Sequence, residues 1–326
     1  MQIKDRKFLV IGGAGFIGSH LVDQLLSDGA KLVRIYDNFS RGSYANLESA
    51  LNDPRTEIFS DGGDILHKDT LMAAMEDIDG VFHLAALWLL QCYEYPRSAF
   101  DVNVAGTMNV IEAVIASSVK RLVFSSSASV YGDSIIEPMP ENHPFNCNEF
   151  YGASKVCCEM LLRASFNREQ MKGNELSSFV GLRYMNVYGP RQEDKGVYVS
   201  VIARMMNALD RGEQPLIYGD GSQAYDFINV LDCARANILA MEANSSNQFY
   251  NIGTGIKTSI LELVKFLSNI HTFKIEPLFA KEDRPLVKSR VGKIDKARSE
   301  LNFNANIRLI EGLKDLAKWK KKGLNV

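Results

Sequence analysis

The chain has 326 residues, of which 46% are hydrophobic and 23% are charged, and its formal net charge is −2. This near-neutral balance gives no electrostatic support for binding to nucleic acid or to an anionic membrane surface. We expect about two domains, a cytoplasmic protein without a membrane-spanning segment, and five free cysteines, since the cysteines lack metal-ligand spacing and no metal site is predicted.

Strand and helix patterns alternate through the first part of the chain. Predicted strands lie at 7–12, 31–37, 56–60, 80–84 and 120–126, and predicted helices lie at 16–28, 68–76 and 98–117. Repeated strand–helix–strand units predict a parallel sheet covered on both faces. The fold class is therefore α/β, with a doubly wound sheet of the Rossmann type.

A glycine-rich segment joins the first predicted strand to the first predicted helix. Gly12 permits a tight turn, Gly15 leaves no Cβ between the backbone and a pyrophosphate, and Gly18 lets the helix pack close to the strand. Phosphates would then lie on the free N–H groups at the positive end of the helix. The pattern predicts a dinucleotide-binding site.

Asp37 ends the second predicted strand, 19 residues after Gly18. A carboxylate at this position would accept hydrogen bonds from the adenosine ribose and repel a 2′-phosphate, so the predicted cofactor is NAD rather than NADP. A structural turn followed by a surface aspartate is the alternative. Asp64 is placed to flank the adenine, whereas His83 is given no chemical role.

A serine-rich segment, residues 125–129, follows the fifth strand, and a further predicted helix begins with Tyr151 and Lys155 on one face. Ligands bind at the carboxyl ends of parallel strands. A tyrosine has a pKa near 10, and lowering it to about 7 requires roughly 4 kcal/mol. A lysine ammonium and the positive charge of oxidised nicotinamide supply this together, so Tyr151 is the predicted base and Ser127 shares the substrate hydrogen bond.

Together these residues resemble the extended short-chain dehydrogenase/reductase family, in particular its NAD-dependent nucleotide-sugar epimerases and dehydratases. The resemblance extends over nearly the whole chain. It rests on the segments GGAGFIGSH at 12–20, HLAA at 83–86, SSSASVYG at 125–132, YGASK at 151–155 and LRYMNVYGPRQ at 182–192.

The resemblance implies a role for each matching residue. Tyr151 is the catalytic base, Lys155 lowers its pKa and binds the nicotinamide ribose, and Ser127 hydrogen-bonds the reacting sugar hydroxyl. The predicted cofactor-binding residues are Gly12, Gly15, Phe16, Ile17, Gly18, Asp37, Asn38, Asp64, Ile65, Leu84, Ala85, Ala86, Asn103, Ser125, Tyr151, Lys155 and Tyr184. The predicted substrate-binding residues are Ser127, Asn186, Arg191, Tyr225 and Arg284, with surface ion pairs as the alternative for the two arginines.

Several positions depart from the family pattern. Ala128 and Ser129 stand where sugar 4,6-dehydratases have an acid pair, which argues against that dehydration. Tyr225 replaces an arginine that contacts phosphate, Trp88 makes the segment after the fourth strand bulky, and Phe150 replaces a common proline. These differences lie around the sugar and diphosphate, so we expect an atypical substrate and intact cofactor binding.

The resemblance also implies a domain division and an assembly. We expect an NAD-binding domain over 1–185, to which 226–255 return, and a smaller nucleotide-sugar-binding domain over 186–326. In the family, the helices that correspond to 98–117 and 151–170 pair as a four-helix bundle, which implies a homodimer.

The reaction expected from this resemblance is epimerisation of a nucleotide sugar, foremost at C4 of a UDP-sugar, in a pathway such as polysaccharide biosynthesis. Tyr151 would abstract the proton while hydride passes reversibly to bound NAD. The alternatives are an NAD-dependent dehydratase or oxidoreductase acting on a nucleotide sugar and, in a different class, a non-catalytic NAD-binding regulatory protein.

Overall fold

The computed structural model describes residues 1–174, 177–193, 200–271, 276–281 and 287–323. The strands in these residues are β1 (Lys7–Ile11), β2 (Leu32–Tyr36), β3 (Thr56–Ile58), β4 (Gly80–His83), β5 (Arg121–Ser127), β6 (Ser178–Tyr184), β7 (Asn186–Tyr188), β8 (Leu216–Tyr218), β9 (Ala224–Tyr225), β10 (Phe227–Asn229), β11 (Gln248–Ile252), β12 (Thr258–Ser259), β13 (Leu278–Ala280) and β14 (Ser289–Arg290). The α-helices are α1 (Phe16–Ser27), α2 (Lys68–Ala74), α3 (Leu89–Glu94), α4 (Pro96–Ala99), α5 (Thr107–Ala116), α6 (Phe150–Met171), α7 (Val201–Asp210), α8 (Val230–Glu242), α9 (Ile260–His271), α10 (Asp295–Glu300) and α11 (Leu309–Gly323).

Seven parallel strands form the central sheet in the order β11-β6-β5-β4-β1-β2-β3. In register, Val10 of β1 lies between Ile35 of β2 and Phe82 of β4. The strand order changes direction at β1, and in such sheets a dinucleotide binds at the carboxyl ends of the strands that flank this point. The predicted doubly wound α/β fold is confirmed.

Helices cover both faces of the sheet because its central strands are apolar on both sides. Along β1, Phe8 and Val10 pack with buried residues of α1 and α8, whereas Leu9 and Ile11 pack with buried residues of α2, α5 and α6. A smaller third core joins α7, α9 and α11 to the short strands β8 and β10. Helix α6 therefore rests on a sheet that is buried on both faces.

Residues late in the chain return to the central sheet. β11 pairs in parallel with β6, so Tyr250 lies beside Leu182, and α8 packs against α1. β10 instead pairs with β7, outside the central sheet. The sequence analysis did not predict β6, although Phe179, Val180 and Leu182 form a short apolar run there.

The helix predicted over 98–117 is not regular. It comprises α4, a π-helical segment over Phe100–Gly106, and α5. Although the sequence analysis predicted no membrane-spanning segment, the continuous stretch Pro96–Ala116 is long and apolar enough to cross a membrane by length and composition alone. Half of its most apolar window is buried, and α5 packs against α2 and α6 as a core helix does.

Candidate active site

The turn from β1 into α1 forms the first wall of the candidate site. Gly12 has a φ of +83°, and a Cβ there would lie 2.7 Å from the backbone nitrogen of Ala85, which follows β4. A Cβ on Gly18 would overlap the carbonyl oxygen of Gly12. No side chain caps the N-terminus of α1 at Gly15, so the N–H groups of the first turn, including Phe16 and Ile17, are available to phosphate oxygens.

Asp37 fastens the end of β2 to this turn. Its Oδ2 accepts the N–H of Ala14 at 2.8 Å and its Oδ1 accepts the N–H of Phe39 at 2.9 Å. Burial raises the pKa of this carboxyl, while the two backbone hydrogen bonds lower it. Each carboxylate oxygen retains a lone pair, so the group fits a ribose hydroxyl as well.

The neighbouring adenosine-side residues are held by local turns. Asn38 Oδ1 accepts the N–H of Ser40 at 3.0 Å, and Asp64 Oδ1 accepts the N–H of Leu66 at 2.9 Å. Ile65 is buried in the core against α2 and α5. The structure thus places these predicted residues at the carboxyl ends of β2 and β3, where the adenosine end of a dinucleotide lies in such folds.

Tyr151 and Lys155 lie in the first turns of α6, beside the end of β5. Lys155 Nζ donates to the carbonyl of Ser125 at 2.7 Å, and it lies 5.8 Å from the centre of the Tyr151 ring. Burial lowers the pKa of Lys155 and raises the pKa of Tyr151, while a hydrogen bond with the side chain of Ser127 lowers the Tyr151 pKa. A further positive charge next to the phenol would offset this burial.

Two other predicted cofactor residues are fixed within the protein. Tyr184 shares a 3.2 Å hydrogen bond with Ser125 Oγ and accepts one from Asn237 Nδ2 at 2.8 Å. Asn103 Oδ1 accepts the N–H of Leu87 at 2.7 Å, and its Nδ2 donates to the Leu87 carbonyl at 2.9 Å. Asn103 therefore holds the segment after β4, which contains Leu84, Ala85 and Ala86, at the sheet end.

A buried ion pair that was not predicted from the sequence joins α6 to the sheet. Arg183 Nη2 on β6 and Glu159 Oε2 on α6 are 2.6 Å apart, and Ser126 Oγ donates to Glu159 Oε1 at 2.6 Å. Burial lowers the pKa of Arg183, but Glu159 outweighs it and the pKa is raised. A usable signal existed, because Glu159 follows Lys155 by four residues and so shares its helix face.

The predicted substrate residues lie on separate segments. Asn186 Nδ2 on β7 is buried without a hydrogen-bond partner, and so is Nη1 of Arg191, whose Nη2 pairs with Asp23 on α1 at 2.7 Å. Tyr225 donates its hydroxyl to the carbonyl of Val287 at 3.2 Å. Arg284 lies outside the described residues.

Arg41, which was not predicted as a site residue, links three segments of the chain. Its guanidinium lies 4.8 Å from the centre of the Trp88 ring and pairs with Glu193 at 2.5 Å. It therefore connects the loop after β2, the segment after β4 and the chain beyond β7.

His83, Ala128 and Ser129 bring no charge to this strand end. His83 Nε2 lies 3.0 Å from Thr107 Oγ1, and burial lowers its pKa to about 3, so the ring is neutral. Ala128 and Ser129 are buried and carry no acidic group. Among the described residues, two carboxylates accompany Tyr151 and Lys155 here: Glu159 is bonded to Arg183 and Ser126, and Glu149 caps α6.

Comparison with known proteins gives matches over most of the chain. The model of the NAD dependent epimerase/dehydratase family matches residues 8–253. The chain is 36% identical to a putative UDP-glucose 4-epimerase of Methanocaldococcus jannaschii, over 96% of this chain and 98% of the relative.

Solved structures agree with the sequence match. A UDP-N-acetylglucosamine 4-epimerase from Methanobrevibacter ruminantium, in complex with UDP-N-acetylmuramic acid, has a TM-score of 0.90 at 33% identity, covering 98% of this chain and 99% of that one. A UDP-glucose 4-epimerase from Thermotoga maritima, with UDP-glucose, has a TM-score of 0.88 at 32% identity with the same coverage.

Proposed function

Because the chain belongs to the NAD-dependent epimerase/dehydratase family, we propose that it interconverts the C4 epimers of a UDP-linked sugar. The observation that carries this proposal is that Tyr151 and Lys155 meet Ser127 and Ser125 at the end of β5. The named activities of the relatives support the reaction and the nucleotide.

The residues present fit NAD as the bound cofactor. Gly12 and Gly18 have no room for side chains, the first turn of α1 is uncapped, and Asp37 directly follows β2. When bound, NAD would supply a reversible hydride acceptor, so that the sugar is oxidised and reduced in one site.

In the proposed mechanism the chain's own residues move a single proton. Tyr151 takes the proton of the sugar C4 hydroxyl and later returns it, and Ser127 holds that hydroxyl in place. Lys155 keeps a positive charge next to the phenol, which favours its ionised form. No net oxidation occurs, so the cofactor stays bound between turnovers.

We also propose the domain division expected above, 1–185 with 226–255 and the remainder of 186–326, which the pairing of β11 with β6 supports. A homodimer through α5 and α6 is proposed because Phe100 and Met160, at or next to these helices, expose apolar side chains. A cytoplasmic location fits the five unpaired cysteines. A role in polysaccharide precursor synthesis is proposed with the UDP-sugar substrate.

The test is to incubate the purified protein, without added cofactor, with UDP-sugars that differ at C2 and C6 and to follow the sugar protons by NMR. We expect the C4 epimer to appear and Tyr151→Phe to turn over about 1,000-fold more slowly while NAD stays bound. Tyr95→Phe, on an exposed tyrosine, is the matched control. Loss of water, accumulation of NADH or near-normal turnover by Tyr151→Phe would refute the proposal.

A further inference from the structure

Arg290 is a buried arginine next to the candidate active site that the mechanism does not use. It ends β14, pairs in register with Tyr225 of β9, and is only 8% exposed. Its Nη1 donates to Ser129 Oγ at 3.2 Å and its Nη2 to the carbonyl of Gly132 at 3.4 Å. Both acceptors lie in the segment that follows Ser127.

Arg290 is connected through Ser129 to Ser127, one of the proposed reacting groups. Ser129, which accepts its hydrogen bond, donates its own backbone N–H to Ser127 Oγ at 3.1 Å. An ionised Tyr151 would attract the guanidinium and raise the pKa of Arg290. The guanidinium therefore borders the position where the reacting sugar hydroxyl lies in the proposed mechanism.

One N–H group of the Arg290 guanidinium makes no hydrogen bond to the described residues. Its Nε is buried without a hydrogen-bond partner, and no carboxylate among the described residues lies within 4.0 Å of it. Burial lowers the pKa of Arg290, and the nearby acidic groups, Glu149 first, offset this only in part. Glu149 Oε2 accepts the N–H of Gly152 at 3.0 Å, and its Oε1 is buried without a hydrogen-bond partner among the described residues.

A buried cation with an unused N–H is costly unless a ligand completes it. Hydrogen bonds from an arginine to a charged acceptor are about twice as strong as those to a neutral one. We propose that Arg290 binds a carboxylate carried by the reacting sugar, so that the substrate is a nucleotide-linked sugar acid. This inference rests on the proposed function, since that function places the sugar between Tyr151 and Ser127.

Calorimetric binding tests the proposal independently of turnover. UDP-glucuronate, UDP-glucose and UDP are titrated into the NAD-loaded protein and into Arg290→Gln. We expect the native protein to bind UDP-glucuronate more tightly than UDP-glucose. The variant should lose about 10- to 100-fold in affinity for UDP-glucuronate and less than about threefold for UDP-glucose and UDP.

Two further variants separate charge from folding. Arg290→Lys keeps the positive charge and should retain part of the preference, whereas Ser129→Ala keeps Arg290 itself and should retain most of it. NAD content and thermal unfolding report whether Arg290→Gln is folded. If that variant is unfolded, Arg290→Lys replaces it: a reduced preference for UDP-glucuronate with unchanged UDP affinity supports the proposal, and an unchanged preference opposes it.

The outcomes that overturn the proposal are distinct. If Arg290→Gln lowers the affinity for all three ligands equally, the arginine binds the diphosphate that they share. If the native protein binds UDP-glucose as tightly as UDP-glucuronate, Arg290 does not distinguish a sugar acid from a neutral sugar. Failure of the proposed function appears separately, as selective binding of UDP-glucuronate without epimerisation of any sugar.

Discussion

The two sides of the candidate site are built from different material. On the cofactor side the groups are backbone atoms around Gly12 and Gly18 and a carboxylate, Asp37, held by two backbone N–H groups. On the side where we propose that the sugar binds, the groups are side chains such as Asn186 and Arg290, which come from segments far apart in the chain. A backbone surface tolerates no added atoms, whereas a side-chain surface changes with every substitution, so we expect the sugar specificity to be set there.

The largest effect in this comparison is expected from Gly18→Ala on the cofactor side. The added Cβ would overlap the carbonyl oxygen of Gly12, and the turn must open to admit it. Overpacking of this kind costs about 1–3 kcal/mol, so NAD affinity should fall by up to about 100-fold. Calorimetric titration of NAD measures this loss.

Ser27→Ala is the control for Gly18→Ala, because Ser27 lies exposed at the end of the same helix. It should bind NAD as the native protein does. If Gly18→Ala binds NAD within threefold of the native affinity, the cofactor side tolerates an added atom and the expected difference between the two sides is contradicted.

A smaller effect is expected from Asp37→Asn, about tenfold in NAD affinity, since the charge-assisted acceptor is lost. Burial raises the pKa of Asp37, so acidification protonates it before an exposed aspartate. NAD affinity of the native protein should therefore fall as the pH decreases, while that of the variant stays flat. Asp61→Asn, on an exposed aspartate, should reproduce the native pH dependence.

The smallest effect is expected from Tyr225→Phe on the substrate side. Its hydroxyl donates to the Val287 carbonyl, so its removal costs about 1 kcal/mol of stability and less than about threefold in nucleotide-sugar affinity. NAD affinity should not change. A tenfold loss of UDP affinity in this variant would show that the phenol contacts the diphosphate.

Local spacing made the cofactor side predictable from the sequence. The strand, glycine turn and helix around Gly12 are contiguous, and Tyr151 and Lys155 are four residues apart on one helix. β6 was not predicted because Gly181 and Arg183 interrupt its apolar run. Arg183 is nevertheless buried, because Glu159 on α6 forms an ion pair with it.

The substrate side depends on contacts between distant segments, which spacing does not reveal. Arg290 and Ser129 are hydrogen-bonded although 161 residues separate them in the sequence. Asn103, which bonds to Leu87, lies in a π-helical segment that has no sequence signature. Arg191 and Tyr225 were identified as candidate site residues from the sequence, but their partners, Asp23 and Val287, could not be predicted from it.

The return of β11 and α8 to the central sheet has a consequence for how the molecule is made. Until residue 252 has left the ribosome, the outer edge of β6 has no neighbour and α1 lacks the helix that covers it. An open strand edge invites pairing with other chains. The nucleotide-binding half is thus completed only late in synthesis, and a product that stops near residue 185 would be an aggregating fragment rather than a working module.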